Sequence, residues 1–198
     1  MPKLVFFLGA AGAGKTTIAK ALAKLRRAPF FDMDTLLRPA AEAIMTLSGL
    51  DPNDRDSAVY KTRCRDLGYR ITMDAALENM ELGNDAFVVG PFTKETDDPL
   101  WLHNELARIG ASIQSVDVKV VWVVLSDEDM YRRRIEHRAS VLDHWKLANW
   151  EQFRTSLKRR EIAWTGLSDS SVLEFDNSGP LSEAKLQELE RMIYLNHC

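Results

Sequence analysis

The sequence predicts an α/β fold in three layers, with helices covering both faces of a five-stranded parallel sheet. Two observations carry this prediction. Short apolar segments alternate with longer segments of helical periodicity along the whole chain. One of them, residues 118–125, is almost continuously apolar and β-branched, which is typical of a central strand covered on both faces. The 198 residues show no repeat and no interdomain linker, so we expect a single domain, 1–198.

The composition is that of an ordinary globular protein. The net charge of −3 gives no general reason to expect a polyanion, so a nucleic-acid partner is not predicted. Two cysteines, Cys64 and Cys198, are too few for a disulfide framework or a zinc site. No apolar run is long enough to span a membrane, and the first strand follows Met1 almost directly. We therefore expect a cytoplasmic protein without a signal peptide or membrane partner.

The first predicted strand, residues 4–8, leads into a glycine-rich segment and then a helix. This segment has the pattern G-x-x-x-x-G-K-[ST]. It comprises Gly9, Ala10, Ala11, Gly12, Ala13, Gly14, Lys15 and Thr16, with Thr17 following. Glycines allow backbone N–H groups to close around an anion, and the start of the helix adds the positive end of its dipole. The lysine can reach the β- and γ-phosphates and the threonine hydroxyl suits Mg²⁺, so the motif predicts binding of a nucleoside triphosphate.

The second predicted strand, residues 28–34, ends in Asp32 and Asp34. Residues two apart on a strand point the same way, so we expect both carboxylates on one face. In a parallel sheet the end of this strand lies at the same edge as the glycine-rich segment. One carboxylate can then support Mg²⁺, while the other orients or deprotonates an attacking hydroxyl.

Turn and capping signals predict the remaining elements. Further strands are expected at 86–90 and 172–176, besides the strand at 118–125. We expect helices at 35–47, 57–82, 98–110, 126–138 and 149–164. A last helix should pack Leu186, Leu189 and Ile193 against the core.

The helix after residue 126 carries Arg134 and Arg138, which are four apart and share a face. Arginines on a closing lid can stabilise the charge that develops during phosphoryl transfer. We therefore expect a lid at about 134–149 and a catalytic set of Lys15, Asp34, Arg134 and Arg138. Other nucleotide-binding classes fit less well, since the sequence lacks N-K-x-D and L-S-G-G-Q, and the third strand ends in Gly90-Pro91 rather than in carboxylates.

With these motifs the chain resembles the small P-loop kinases and phosphotransferases, such as gluconate kinase, shikimate kinase, chloramphenicol phosphotransferase and AAA-type kinase-like proteins. The resemblance implies a P-loop NTPase sheet in the order 2-3-1-4-5, ATP with Mg²⁺, and transfer to a hydroxyl of a small molecule. It implies a metal-side role for Thr16 and Asp32, and a substrate-orienting or base role for Asp34. It also places the adenine-binding loop at Asn177 and Ser178.

The resemblance further implies that a helical region at about 35–84 forms the acceptor pocket. Its substrate-facing residues would be Tyr60, Arg63 and Arg70, joined by Phe92 after the third strand. The sequence departs from the family pattern in having Gly90-Pro91-Phe92 there and Leu142 just before Asp143. Lys94 or Lys146 can supply the cation that many relatives carry at position 142.

Three functions remain open from the sequence. The leading hypothesis is an ATP-dependent small-molecule kinase. A kinase acting on a nucleotide, a nucleotide-sugar or a nucleic-acid hydroxyl would use the same residues. An ATP-binding regulatory protein with little turnover would use Asp32 and Asp34 only for structure. The acceptor and the oligomeric state cannot be read from the sequence.

Overall fold

A computed structural model describes residues 1–195 of the chain. Five parallel strands form one sheet in the order β2-β3-β1-β4-β5, which confirms the predicted fold class and strand order. The strands are β1 (Lys3–Leu8), β2 (Phe30–Asp32), β3 (Ala86–Val89), β4 (Asp117–Val124) and β5 (Val172–Asp176).

Helices cover both faces of the sheet. In chain order they are α1 (Lys15–Arg26), α2 (Met33–Leu47), α3 (Ala58–Arg63), α4 (Arg65–Glu81), α5 (Trp101–Ala107), α6 (Glu128–Arg138), α7 (His144–Ala148), α8 (Trp150–Phe153) and α9 (Glu183–Tyr194). Short 3₁₀ turns occur at Glu95–Asp97, Val141–Asp143, Arg154–Leu157 and Asp169–Ser171. Across residues 1–195, no helix has both the length and the apolar character that crossing a bilayer requires.

Strand β1 lies at the centre of the sheet, because it pairs with β3 on one side and β4 on the other. Its side chains alternate between two buried apolar clusters, with Phe6 in one and Phe7 in the other. Both rings are fully buried. This covering of both faces explains the continuously apolar sequence of the central strands.

The carboxyl ends of the strands meet at one edge of the sheet. The loop of residues 9–14 follows β1, Asp32 ends β2, and Asn177 follows β5. Most of the predicted site residues therefore lie along this edge.

The prediction that Asp34 lies on a strand is wrong. Strand β2 stops at Asp32, whose carboxylate Oδ1 accepts a hydrogen bond from the Thr35 backbone N–H at 3.2 Å. This cap starts α2 at Met33, so Asp34 lies in the first helical turn. Helix geometry, and not strand alternation, therefore sets its direction.

Two other helices differ from the prediction in extent. The helix expected at 57–82 is divided at Cys64, where φ widens to −112° between α3 and α4. The helix expected to start at Asp98 begins at Trp101. The reason is that the Asp98 carboxylate accepts a hydrogen bond from the Leu100 backbone N–H at 3.0 Å and holds a turn instead.

The helix expected at 149–164 ends early. Helix α8 stops at Phe153, and Lys158 already has extended backbone angles. Further on, the Ala163 N–H donates to the Thr96 carbonyl at 2.8 Å, and the Trp164 indole N–H donates to the Glu95 carbonyl at 2.7 Å. Pairing with a loop distant in sequence thus overrides the local helical propensity.

Candidate phosphoryl-transfer site

The loop of residues 9–14 adopts a backbone that requires glycine. The φ angles of Gly9, Gly12 and Gly14 are 133°, 87° and 93°, a region that other residues rarely adopt. A Cβ on Gly9 would lie 2.4 Å from the Val123 carbonyl oxygen, and one on Gly14 would lie 2.3 Å from Asn177 Nδ2. The remaining predicted cradle residues occupy this loop and the first turn of α1: Ala10, Ala11, Ala13, Lys15, Thr16 and Thr17. Because the first N–H groups of α1 have no helical acceptor, the loop and helix end together suit an anion.

Lys15 begins α1 and its side chain turns back over the loop. Its Nζ donates to the carbonyl oxygens of Gly9 at 2.7 Å and Ala10 at 2.9 Å. Burial lowers the pKa of this ammonium from 10.5 to about 8. An ammonium that is poorly solvated in this way gains most from a nearby anion.

Four charged side chains act on the Lys15 ammonium. Against the effect of burial, the carboxylates of Asp34 and Asp32 raise its pKa, whereas the cations of Arg138 and Lys146 lower it further. These charges come from α2, the end of β2, α6 and α7. The fold therefore gathers both signs of charge around one lysine, as a site that handles phosphate requires.

Thr16 and Asp32 form a direct pair at the rim of the loop. The Thr16 hydroxyl donates to Asp32 Oδ2 at 2.8 Å, and Asp32 is almost fully buried. Hydroxyl and carboxylate oxygens are ligands that Mg²⁺ accepts, so this pair fits the expected cation. Within residues 1–195 no group of three or more His, Cys, Asp or Glu could hold a metal alone.

Asp34 differs from Asp32 in its surroundings. It is exposed to solvent, and within residues 1–195 its carboxylate makes no hydrogen bond or ion pair. Its negative charge nevertheless raises the pKa of both Lys15 and Tyr60. For Lys15 this opposes the effect of burial, which lowers the pKa, and for Tyr60 it adds to the effect of burial, which raises it. Asp34 is thus a carboxylate without a structural partner beside the phosphate loop, and both oxygens are available to a ligand.

Arg134 lies within α6 and bonds to backbone carbonyls of two loops. Its guanidinium donates to the carbonyl oxygens of Ala13 at 3.3 Å and Asn177 at 2.7 Å. The buried Asn177 side chain also donates to the Ala13 carbonyl at 2.8 Å. Ser178 follows in the same loop, where its hydroxyl accepts from the Ser126 N–H at 2.6 Å. Arg134 therefore connects the phosphate loop with the loop after β5, and its catalytic role stays a prediction.

Arg138 points into a second cluster with Asp143 and Lys146. The Asp143 side chain is only 1% exposed. It accepts hydrogen bonds from Arg138 at 2.6–2.7 Å and from Lys146 Nζ at 3.0 Å. We define these three residues as the cation clamp. In the sequence Asp143 stands out only as the residue after Leu142, and its burial between two cations has no sequence signal.

Two of the predicted acceptor contacts have limited access. Tyr60 is largely buried, and burial raises its pKa to about 12, with the charge of Arg55 opposing the increase and that of Asp34 adding to it. Its ring lies 5.1 Å from the Arg55 guanidinium. Arg63 donates from Nη1 to the Ser48 hydroxyl at 3.0 Å on an exposed surface. Of these two residues, Tyr60 is the one near Asp34.

The other two predicted acceptor contacts, Phe92 and Arg70, lie in different surroundings. Phe92 has no exposed surface, since its ring packs between Phe6 and Tyr69 at centroid distances of 5.4 and 4.7 Å. Arg70 is neutralised by two carboxylates: it donates to Glu105 at 2.6 and 2.8 Å and to Asp74 at 2.8 Å. Phe92 is therefore inside the core, whereas Arg70 is paired and lines a small cavity, so its role toward a substrate stays a prediction.

Comparison with protein families gives one match. The model of a family described as the AAA domain matches residues 4–161, which is well over half of the chain. A search of the curated proteins finds no match.

Several solved structures share the fold over nearly their entire length. A candidate kinase from Chloroflexus aurantiacus has a TM-score of 0.67 and 21% identity, and the alignment covers 96% of this chain and 98% of the other. A sugar kinase from Janibacter has a TM-score of 0.58 and 16% identity, covering 98% and 94%. The APS kinase of Mycobacterium tuberculosis, solved with AMPPNP and APS, has a TM-score of 0.57 and 17% identity, covering 96% of each chain. These structures confirm the fold that the resemblance to small P-loop kinases implies.

Proposed function

Because this chain belongs to the AAA domain family, we propose that it is a kinase that transfers a phosphoryl group from ATP to a hydroxyl of a small molecule. The structural neighbours described as a sugar kinase and as an APS kinase support this proposal, since both share the fold over nearly their whole chains. The neighbour that was solved with AMPPNP supports ATP as the donor.

One observation carries the proposal: the two carboxylates beside the phosphate loop are in different states. Asp32 is committed to structure and to the loop, because it caps α2 and accepts the Thr16 hydroxyl. Asp34 is exposed, and its carboxylate makes no hydrogen bond within residues 1–195. A protein that only holds a nucleotide needs the first carboxylate, whereas transfer to a hydroxyl needs a second one that is free to meet the acceptor.

Each residue has a distinct part in this mechanism. The backbone N–H groups of the loop and the Lys15 ammonium would hold the phosphates of ATP. Thr16 and Asp32 would support Mg²⁺, which supplies positive charge to the phosphate oxygens when bound. Asp34 would accept a hydrogen bond from the attacking hydroxyl and orient it in line with the transferred group.

The cation clamp completes the arrangement. Arg138 and Lys146 act on the Lys15 pKa, so their charges lie on the phosphate side of the site. We propose that they stabilise the negative charge of the transferred phosphoryl group and that residues 139–149 form the covering segment. Asp143 would keep both cations in position, because it binds each of them while almost fully buried.

The proposal is tested by ATP consumption across hydroxylated metabolites, sugars, nucleosides, antibiotics and a single-stranded oligonucleotide, with mass spectrometry of the product. With an acceptor in hand, Asp34→Asn should lower kcat by at least about a hundredfold and leave the Kd of ATP within about twofold. The matched control is Asp129→Asn, since Asp129 is likewise an exposed aspartate in the second position of its helix.

Full activity of the Asp34→Asn protein would refute the assigned role. ATP binding without consumption over the whole panel would instead favour a regulatory protein. A product found only with the oligonucleotide or the nucleosides would move the acceptor to the nucleotide class.

A further inference from the structure

A cavity of about 140 Å³ lies between α4, α5 and the loop after β3. We call it the Tyr69–Glu95 cavity, after two residues in its wall that each have a buried side-chain oxygen without a hydrogen-bond partner in the described chain. Trp101 and the Arg70–Glu105 ion pair also line it. Its volume is well above the roughly 10–15 Å³ that one water needs, so it has room for a group of several heavy atoms.

Arg70, in the wall of this cavity, and Arg65, whose charge acts on Glu95, are both already paired with carboxylates. The Arg70 guanidinium forms a two-point ion pair with Glu105, whose side chain is 8% exposed, and it also bonds Asp74. Arg65, whose charge acts on Glu95, bonds Asp66 at 3.4 Å. An anionic ligand would have to break one of these pairs, so the cationic surroundings do not favour a carboxylate or a phosphate.

Glu95 is a charged residue in the cavity wall that has no ion-pair partner within residues 1–195. Its Oε2 is buried and has no hydrogen-bond partner among the residues that the structure describes, and no ion pair within residues 1–195 involves it. Burial raises the pKa of this carboxyl group, and the charge of Asp66 raises it further, whereas the backbone N–H groups of Glu95 and Lys94 and the charge of Arg65 lower it. A buried carboxylate oxygen without a donor carries a large desolvation cost, which a cationic donor would offset.

Tyr69 supplies an independent second group. The residue is only 4% exposed and lines the cavity, and its hydroxyl has no hydrogen-bond partner within residues 1–195. The nearby Phe92 backbone N–H acts on its pKa without meeting hydrogen-bond geometry. A phenol oxygen accepts hydrogen bonds, and the aromatic ring of Trp101 in the same wall favours a cation over an anion.

We propose that the Tyr69–Glu95 cavity binds an ammonium group, and that the phosphoryl acceptor is therefore a hydroxylated primary amine. The ammonium would pair with Glu95 and donate a second hydrogen bond to the Tyr69 hydroxyl. The link to the acceptor rests on the proposed function. The geometry behind this link is that α4 packs on the start of α2: a Cβ on Gly68, the neighbour of Tyr69, would lie 2.9 Å from Cε of Met33, the neighbour of Asp34. In agreement, burial raises the pKa of Tyr69, and the charges of Glu95 and Asp34 raise it further.

The loop that carries Glu95 is rigidly held, as a binding group must be. The Trp164 indole donates to the Glu95 carbonyl at 2.7 Å, and the Trp164 ring stacks on Trp101 at a centroid distance of 5.3 Å. Because α8 ends at Phe153, residues 163–164 are outside any helix and can bond to this loop.

The test compares binding of amines with binding of neutral molecules of the same shape, in the absence of ATP. Glucosamine against glucose, and 2-aminoethanol against ethylene glycol, are titrated calorimetrically into the full chain. The aminated member of at least one pair should bind roughly tenfold tighter or more, by the usual worth of a charge-assisted hydrogen bond. Glu95→Gln should remove that preference, whereas Asp97→Asn, an exposed carboxylate on the same turn that pairs with Arg160, should retain it.

Tyr69→Phe distinguishes a binding role from a structural one. Removing a buried hydroxyl that has no partner should not lower the melting temperature, while it should weaken amine binding several-fold. A lower melting temperature without any change in amine binding would overturn the role of Tyr69.

Equal binding of both members of every pair up to the solubility limit, including no binding of either, would overturn the amine proposal. So would a Glu95→Gln protein that retains the preference. Because this titration contains no ATP, its failure is separate from that of the kinase assignment. Phosphorylation of a neutral acceptor would overturn the amine proposal without affecting the kinase assignment.

Discussion

The affinity for ATP should decrease as the pH rises above 8, because Lys15 loses its charge there. Burial lowers the Lys15 pKa from 10.5 to about 8 in the absence of a ligand. Phosphates beside the ammonium favour its charged form and raise the pKa again, so binding above pH 8 takes up a proton. Below pH 8 the lysine is already charged, and this dependence disappears.

The magnitude follows from that pKa. If only the charged form binds well, the Kd of ATP increases by the factor 1 + 10^(pH − 8), which is about tenfold at pH 9 relative to pH 7. The triphosphate itself does not contribute over this range, because phosphate pKa values lie near 6. At pH 8 about half a proton should be taken up for each ATP bound.

Calorimetry in buffers of different ionisation enthalpy measures both the Kd and the proton uptake. Lys15→Arg is the matched control, since the guanidinium stays charged at every pH used, and its Kd should be constant from pH 7 to about 9.5. A wild-type Kd that does not change over that range, together with no proton uptake at pH 8, would refute the reasoning.

Three further predictions concern stability, measured by urea denaturation. Asp32→Ala removes the cap of α2 and should lower the free energy of unfolding by about 1 kcal/mol, so an unchanged midpoint would contradict the capping role. Gly14→Ala should lose about 1–2 kcal/mol of unfolding free energy to backbone strain alone and should also weaken ATP binding. The control is Gly83→Ala, where φ is 81° and a Cβ meets open space, so it should show only the loss of stability. Equal effects of the two variants on the Kd of ATP would count against the role of the loop of residues 9–14. Arg70→Leu should lower the free energy of unfolding by about 1–2 kcal/mol. The reason is that the nearly buried Glu105 loses two hydrogen bonds and keeps only the one from Arg108. A stability equal to wild type would show that the Arg70–Glu105 pair contributes nothing.

The phosphate loop could be predicted because its chemistry is local. Nine consecutive residues supply the turn, the lysine, the hydroxyl and the helix start, and the positive φ angles of Gly9, Gly12 and Gly14 are a backbone requirement that the sequence expresses directly. The strands were predictable for a similar reason, since burial on both faces demands a continuously apolar sequence such as that of β4.

The acceptor side could not be predicted in the same way. The family resemblance placed Tyr60, Arg63 and Arg70 there, because it implies an acceptor pocket on the helices that follow β2. Whether such a side chain is available depends on what folds against it. Arg70 meets Glu105 across 35 residues of sequence, and Arg63 meets Ser48. Pairing of this kind leaves no periodic signal, because each partner has the composition of an ordinary exposed residue.

The sequence by itself determined the fold class, the phosphate loop and the identity of the two carboxylates beside it. Only the tertiary structure decided which charges remain unpaired. It assigned Asp32 to the helix cap and to Thr16 and left Asp34 free. It tied Arg134 to the loop after β5, and it left the buried oxygen of Glu95 without a donor in the described chain. The physical reason is that a buried charge is satisfied or left unsatisfied only by neighbours that folding brings to it.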